Sequence, residues 1–492
     1  MVRSLSPNWE LFEGLSRVQR VAFVLLLIFI AVAPFPYGAV TSGGALVVQL
    51  FAFTICALSL SSPGRQQLKA AWIPVGAVSA IAVLGAIQLI PLSPSAVERL
   101  SPAVATIYGE ANELLGLFGS PTATARLTIA PAETVRASLL ILAYVALFVA
   151  AVRLACTRLQ RRTVLLVFLT AAALHVGYAS LTDWSVRNAG DEMAERAAWR
   201  YADRLHGAFV NPNHFAGYLE IALMVAFALI LTAVLRGPRR KLTADDTSAL
   251  EGRFIAFAWR TILWAVIATG IALTKSRMGT ATAVFVTVIL FALALLHHRV
   301  RRRRVRAAMA VGLVLVVAGV IAGMAATGNA FTRFLASDPR DPQSDARFRL
   351  WETSVDAWSA SPHLGFGLGA FREAFRRVQP HDLPGLVEQA HSDSLQLLVT
   401  GGWIGVALAA AGLLGMLALL LKAWWKQAHR EESAVALAAA GALMSLLLHG
   451  LAEFNFSIPA IPATLAVIVG VGWSAANYRS HEEHRHSPEE GL

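Results

Sequence analysis

The stretch LQLLVTGGWIGVALAAAGLLGMLALLL, from Leu395 to Leu421, carries no acidic or basic side chain and is long enough to cross a bilayer core as one helix. Lipid offers no partner to backbone N–H and C=O groups, so a crossing segment must pair them within itself. On either side, comparable apolar runs recur near residues 21–40, 43–60, 71–91, 137–156, 163–182, 214–235, 259–274, 279–296, 307–327, 433–452 and 458–477. With 395–421 they predict an all-α integral membrane protein of about twelve transmembrane helices.

Composition agrees. Of 492 residues, 56% are hydrophobic and 15% charged, against about 25% charged in soluble domains, and the mean hydropathy is +0.58. A water-soluble globule is excluded. The 2 cysteines, Cys56 and Cys156, lie in or beside apolar runs, which rules out a disulfide framework or a thiolate metal site. The polar start before Pro34 has no small-residue cleavage site, so the first run reads as a retained anchor.

The net charge of +11 points to nucleic acid only until its positions are sorted. With both termini in the cytoplasm, most of the 42 Lys and Arg fall on the inner side, as the positive-inside rule requires. The run Arg299, Arg301 to Arg304 and Arg306 follows a span directly and reads as an anchor to anionic headgroups. His481, His484 and His486 are irregularly spaced among Glu482 and Glu483 and read as a solvated tail.

This divides the chain into residues 1–204, with five spans and two outer loops; 205–477, a membrane domain with an outer loop over 328–394; and a cytoplasmic tail, 478–492. The outer loops are 92–136, 183–213 and 328–394. The last is rich in Trp, Phe and Leu, which favours a folded cover on the outer membrane surface. Leu350, Trp351, Val355 and Trp358 share a helical face that Ser361-Pro362 ends, and Phe371, Phe375 and Val378 form a second face. Between them Gly365-Phe366-Gly367-Leu368-Gly369 is either a phosphate-cradling turn or a tight connector.

The same loop holds Arg333, Arg340, Arg347, Arg349, Arg372, Arg376 and Arg377, an unusual outward set in a chain that otherwise keeps arginine inside. Arginine binds phosphate bidentately and keeps its charge, so the set suits a pyrophosphate; ion pairing with Asp338, Asp341, Asp345, Glu373 and Asp382 is the competing reading. Lys275 and Arg277 sit in a tight hairpin between apolar runs, either binding an anionic substrate or snorkelling to headgroups. Asn211 or Asn213, around Pro212, caps the run that His214 opens. His391 is a titratable group at the membrane rim, structural or functional.

Four segments, in order, resemble the bacterial O-antigen ligase and polymerase superfamily. They are Ser276-Arg277-Met278-Gly279; Arg347 with Leu350-Trp351, Pro362 and Gly365-Phe366-Gly367; Ala390 to Gln396 leading to Gly402-Trp403-Ile404-Gly405; and His449-Gly450-Leu451 through Phe454 to Ile458-Pro459-Ala460. With Phe209 to Gly217, the likeness covers about residues 205–475. The chain departs from it at Ser392 and Ser394, where members often carry Asn and Tyr.

The resemblance implies an inner-membrane glycosyltransferase with a periplasmic active site. It would move a glycan from an undecaprenyl-pyrophosphate carrier to a hydroxyl on lipid A core (a ligase) or on a second lipid-linked glycan (a polymerase), with membrane lipids as further partners and no cofactor or metal. By the same likeness Arg277 and Arg347 hold the leaving pyrophosphate, and His391 is the base or a phosphate ligand. Lys275, Arg349, Asn211, Asn213, His214, His449 and Glu453 line the substrate, Glu453 having pairing with an Arg as its other reading. The rival class is a transporter of lipid-linked glycans, but only Glu220 is a deep charge and no internal repeat is evident.

Overall fold

The computed structural model describes residues 9–62, 71–120, 122–188, 204–235, 247–296, 342–381, 383, 385–426 and 430–477. Its helices are α1 (Arg17–Val32), α2 (Ser42–Ser59), α3 (Trp72–Gln88), α4 (Pro94–Leu100), α5 (Pro102–Leu117), α6 (Pro131–Leu154), α7 (Arg158–Asn188), α8 (Pro212–Leu235), α9 (Thr247–Leu273), α10 (Arg277–Leu296), α11 (Pro342–Ala360), α12 (Phe371–Arg376), α13 (Asp393–Lys426), α14 (Arg430–His449) and α15 (Ala460–Ala476). There is no strand among the described residues. By length and composition 8 helices can cross a membrane, namely α2, α6, α7, α8, α9, α10, α13 and α14, while α3 and α15 are shorter apolar helices. The protein is therefore a multi-pass membrane protein, all-helical over the described residues. The run expected over 307–327, the Arg299–Arg306 cluster, Arg333, Arg340 and the tail histidines lie outside the described residues.

Local chemistry sets the boundaries. Ser16 and Gln19 close a reciprocal capping box at the start of α1. The first apolar run was expected to continue to residue 40, but its helix ends at Val32. Pro34 and Pro36 have no N–H to continue the ladder, and Phe35-Pro36 is cis. The chain instead makes a 3-10 turn over Tyr37–Ala39 before Thr41 caps α2.

The bundle centres on α8 and α14, whose residues are almost wholly enclosed by neighbouring helices, whereas α2, α9 and α13 leave much apolar surface outward. Small residues permit close approach: a Cβ on Gly472 of α15 would sit 2.2 Å from Ala439 Cβ of α14. At one end, Arg158 and Arg161 both reach Glu432, and Arg161 also donates to the carbonyl of Cys156. The opposite end carries a folded cap in which α4, α5, α11 and α12 share a second core of Val97, Val104, Leu127, Leu350, Phe371 and Phe375.

Two features hold that cap to the spans. Gln88, fully buried at the end of α3, donates to the carbonyls of Leu364 (2.7 Å) and Thr400 (3.2 Å) and accepts from Leu368 N (2.9 Å). Within α13, Gly402 has φ 63 and ψ −173, a region that only glycine adopts without strain. A Cβ there would lie 2.2 Å from His363 O, so the missing side chain lets the 361–369 loop seat directly on the helix.

Candidate functional site

Five of the expected site residues, Asn211, Asn213, Arg347, His391 and Glu453, come from distant parts of the sequence and are joined by hydrogen bonds at the cap end. Asn211 accepts from Asn213 N (2.9 Å) and so caps α8, as its position predicted. His214 follows in the first turn and is buried. Arg347 projects from α11, His391 from the turn before α13, and Glu453 from the turn between α14 and α15.

Glu453 is the hub. It is 1% exposed. Its Oε1 accepts from Asn213 Nδ2 (2.5 Å) and Arg347 Nη2 (2.7 Å), while Oε2 faces His391 Nδ1 at 3.3 Å. Burial opposes the charge, but the His391 hydrogen bond and the charges of Arg347, His391 and His214 outweigh it and hold the carboxyl at about 2, below its usual range. Of the two readings of Glu453, the pairing with an arginine is present.

The aromatic ring of Phe454 stands edge-on between two histidines, 4.7 Å from His391 and 4.4 Å from His214 between ring centroids. His391 itself has φ 48, a left-handed conformation uncommon for any residue but glycine, although histidine tolerates it better than most. Its neighbours fix that turn: Ala390 N donates to Gln396, Trp351 donates to the Ala390 carbonyl, and Asp393 N donates to the carbonyls of Gly450 and Glu453. Such strain persists only where surroundings over-determine it, and it gathers at working sites.

The hairpin between α9 and α10 is joined to this hub. Lys275, with φ 51, and Arg277 are both exposed there. Arg204, which sequence reasoning did not single out, donates through Nε to Thr274 O (3.0 Å) and through Nη2 to Asn213 Oδ1 (2.5 Å). The only hint in the sequence was its place just ahead of the Asn-Pro-Asn turn.

The other candidates divide. His449 is fully buried with Nδ1 2.8 Å from Glu220 Oε1, to which Thr282 also donates, so it faces the bundle interior. Arg349 is exposed on α11. Arg372 pairs with Glu373 (2.7 Å) and Arg377 with Glu110 (2.6 Å), so ion pairing accounts for these two. The glycine turn is the tight connector: Phe366 N and Gly367 N donate to the carbonyls of Val399 and Thr400, and Leu368 N to Gln88, leaving these donors engaged by protein.

Beside His391 opens a cavity of about 1380 Å3, lined on its apolar walls by α3, α6, α13, α14 and α15, with residues such as Val78, Tyr144, Leu397 and Leu447. Asn211, His214, His391, Asp393, Arg136 and Arg372 contribute its polar lining. A long apolar cleft meeting a polar rim at a histidine suits an amphiphile whose reacting end is polar. Among the described residues there is no group of three or more His, Cys, Asp or Glu placed to hold a metal ion.

The sequence profile described as O-antigen ligase matches residues 261–410, from α9 through the first half of α13. No curated protein matches the chain. The matched segment contains Arg277, Arg347 and His391, and over it the likeness read from the sequence holds; Asn213, His449 and Glu453 lie outside it.

Proposed function

We propose, from the premise that residues 261–410 are an O-antigen ligase-like segment of a multi-pass membrane protein, that the chain is a glycosyltransferase of surface-polysaccharide synthesis. It moves a glycan from an undecaprenyl-pyrophosphate carrier to an acceptor hydroxyl at the periplasmic face of the inner membrane. In this reading twelve spans place both termini in the cytoplasm, and the cap covers the outer face. The observation that carries it is the contact of one buried carboxylate, Glu453, with both Arg347 and His391, the histidine itself lining the apolar cleft.

The chemistry follows from that contact. A proton on His391 Nδ1, toward Glu453, leaves Nε2 with a lone pair to take the acceptor's hydroxyl proton, and the carboxylate stabilises the imidazolium that forms. The acceptor oxygen bonds to the anomeric carbon as the bond to the pyrophosphate oxygen breaks. The departing pyrophosphate takes the electron pair as a stable anion, so it needs cations more than a general acid. Arg347 and Arg277 supply them, with Lys275 and Arg349 as further cations; Asn211 and His214 line the cleft beside His391, and Asn213 holds Glu453. The carrier's tail lies in the cleft, and the cap limits access of competing water.

The test is glycan transfer in liposomes supplied with undecaprenyl-pyrophosphate oligosaccharide, with lipid A core or further donor as acceptor, for wild type, Arg277→Ala and His391→Ala. Product on lipid A core identifies a ligase, and laddered lipid-linked chains a polymerase; either product should vanish in both variants. Absence of product with either acceptor, together with movement of intact donor between leaflets, would overturn the enzyme reading in favour of a transporter.

A further inference from the structure

We propose that Arg204 is a positioning residue that sets the leaving-group hairpin and the histidine–carboxylate pair in register; the inference rests on the transferase reading above. Its guanidinium works in two directions. Nε holds the carbonyl of Thr274, the residue that begins the turn to Lys275 and Arg277, and Nη2 holds Oδ1 of Asn213. A planar guanidinium presents these donors at a fixed angle, so the hairpin and the amide are placed relative to each other by one rigid group.

The orientation of the amide is what matters at the site. A carboxamide offers an oxygen at one end and an NH2 at the other. Arg204 has only donors, so it selects the oxygen, and the NH2 is left facing Glu453 Oε1 at 2.5 Å. Glu453 then carries donors from Asn213 and Arg347 on one oxygen and presents the other to His391. If the amide turned over, its oxygen would face the carboxylate and push it away from this arrangement. Arg204 thus acts on His391 through Asn213 and Glu453, and on Arg277 through Thr274, with no contact to the reacting atoms required.

The experiment measures transfer at varied donor in liposomes for wild type, Arg204→Gln, Arg204→Lys, Asn213→Ala and the double variant Arg204→Gln/Asn213→Ala, with thermal unfolding of each detergent-purified protein. Arg204→Gln should lower kcat by about 30-fold or more while donor KM stays within about threefold, because positioning is lost rather than substrate binding. Arg204→Lys should recover part of the rate, one ammonium being unable to serve both acceptors in the same geometry. The double variant should fall no more than about threefold below the worse single one, and the unfolding midpoints should be non-additive in the same sense.

A tenfold rise in KM at unchanged kcat would make Arg204 a substrate ligand and overturn the proposal, as would rate losses that multiply fully in the double variant. A wild type that transfers nothing defeats the transferase reading instead; the unfolding midpoints then decide alone, and additive midpoints overturn the link between Arg204 and Asn213. Should Arg204→Gln fail to fold, Arg204→Lys with Asn213→Ala gives the same cycle.

Discussion

His391 Nδ1 stands 3.3 Å from Glu453 Oε2, although 62 residues separate the two in sequence. A carboxylate on one imidazole nitrogen fixes both the tautomer and the direction of the other nitrogen. His391→Gln should therefore lose transfer by about 100-fold or more, in the range expected for a general base, while leaving the thermal midpoint nearly unchanged. Retention of more than a tenth of the wild-type rate would remove His391 from the chemistry.

Glu453 makes a prediction about pH. Its carboxyl titrates at about 2 in the folded protein and at about 4.3 when unfolded. A depressed folded value adds stability that is fully present above the unfolded value and is lost as pH falls through the folded one. The midpoint difference between wild type and Glu453→Gln should shrink as pH falls below about 4. A difference that persists undiminished down to about pH 3 would remove the Glu453 carboxylate as its source.

The arginines of the cap should separate into two classes. Arg347 meets a carboxylate that is 1% exposed, whereas Arg377 and Glu110 pair at the surface. Arg377→Ala should shift stability by less than about 1 kcal/mol and keep transfer within about twofold. Arg347→Ala should remove transfer almost completely, because it also leaves a buried carboxylate short of a cation. Equal losses in the two variants would argue for a diffuse cationic surface rather than a site.

Gln88 and Gly402 test the seating of the cap. Gln88→Leu would leave the carbonyls of Leu364 and Thr400 and the N–H of Leu368 without their side-chain partner, at a cost of about 2–4 kcal/mol. Gly402→Ala should cost about 2 kcal/mol or more, since φ is 63 and the carbonyl of His363 occupies the Cβ position. Gly405→Ala, one turn on, meets Leu397 at an ordinary 3.4 Å and should be tolerated. Thermal unfolding in detergent distinguishes the three.

The helices over 43–60, 137–156, 214–235 and 433–452 were legible because apolar length is a local property that lipid enforces. The amphipathic face of Leu350, Trp351, Val355 and Trp358 was legible only in part: Leu350 is buried in the cap core and Trp358 packs against it, whereas Val355 is exposed and Ala357 takes a buried place instead. The end of α1 was missed because apolar character continues past the prolines that stop the helix. Asn213, Arg347, His391 and Glu453 were each picked out singly, yet no spacing rule joins Arg347 to Glu453 across 106 residues. Arg204 escaped notice because a lone arginine gains its meaning only from the carbonyl and amide that converge on it. The glycine turn admitted two readings that sequence left open, and the decision came from Val399, Thr400 and Gln88, none of them near it in the chain.

The cleft beside His391 has walls of Val78, Leu397 and Leu447 and only a polar rim. On the transferase reading proposed above, a carrier that seats its tail there arrives by lateral diffusion within a leaflet, not from water. The quantity that saturates such an enzyme is then the mole fraction of carrier in the bilayer. Diluting the vesicles in buffer at fixed lipid composition leaves the rate per protein unchanged, whereas diluting the carrier with inert lipid slows it. A cell would govern polysaccharide output through the supply of carrier to that membrane surface.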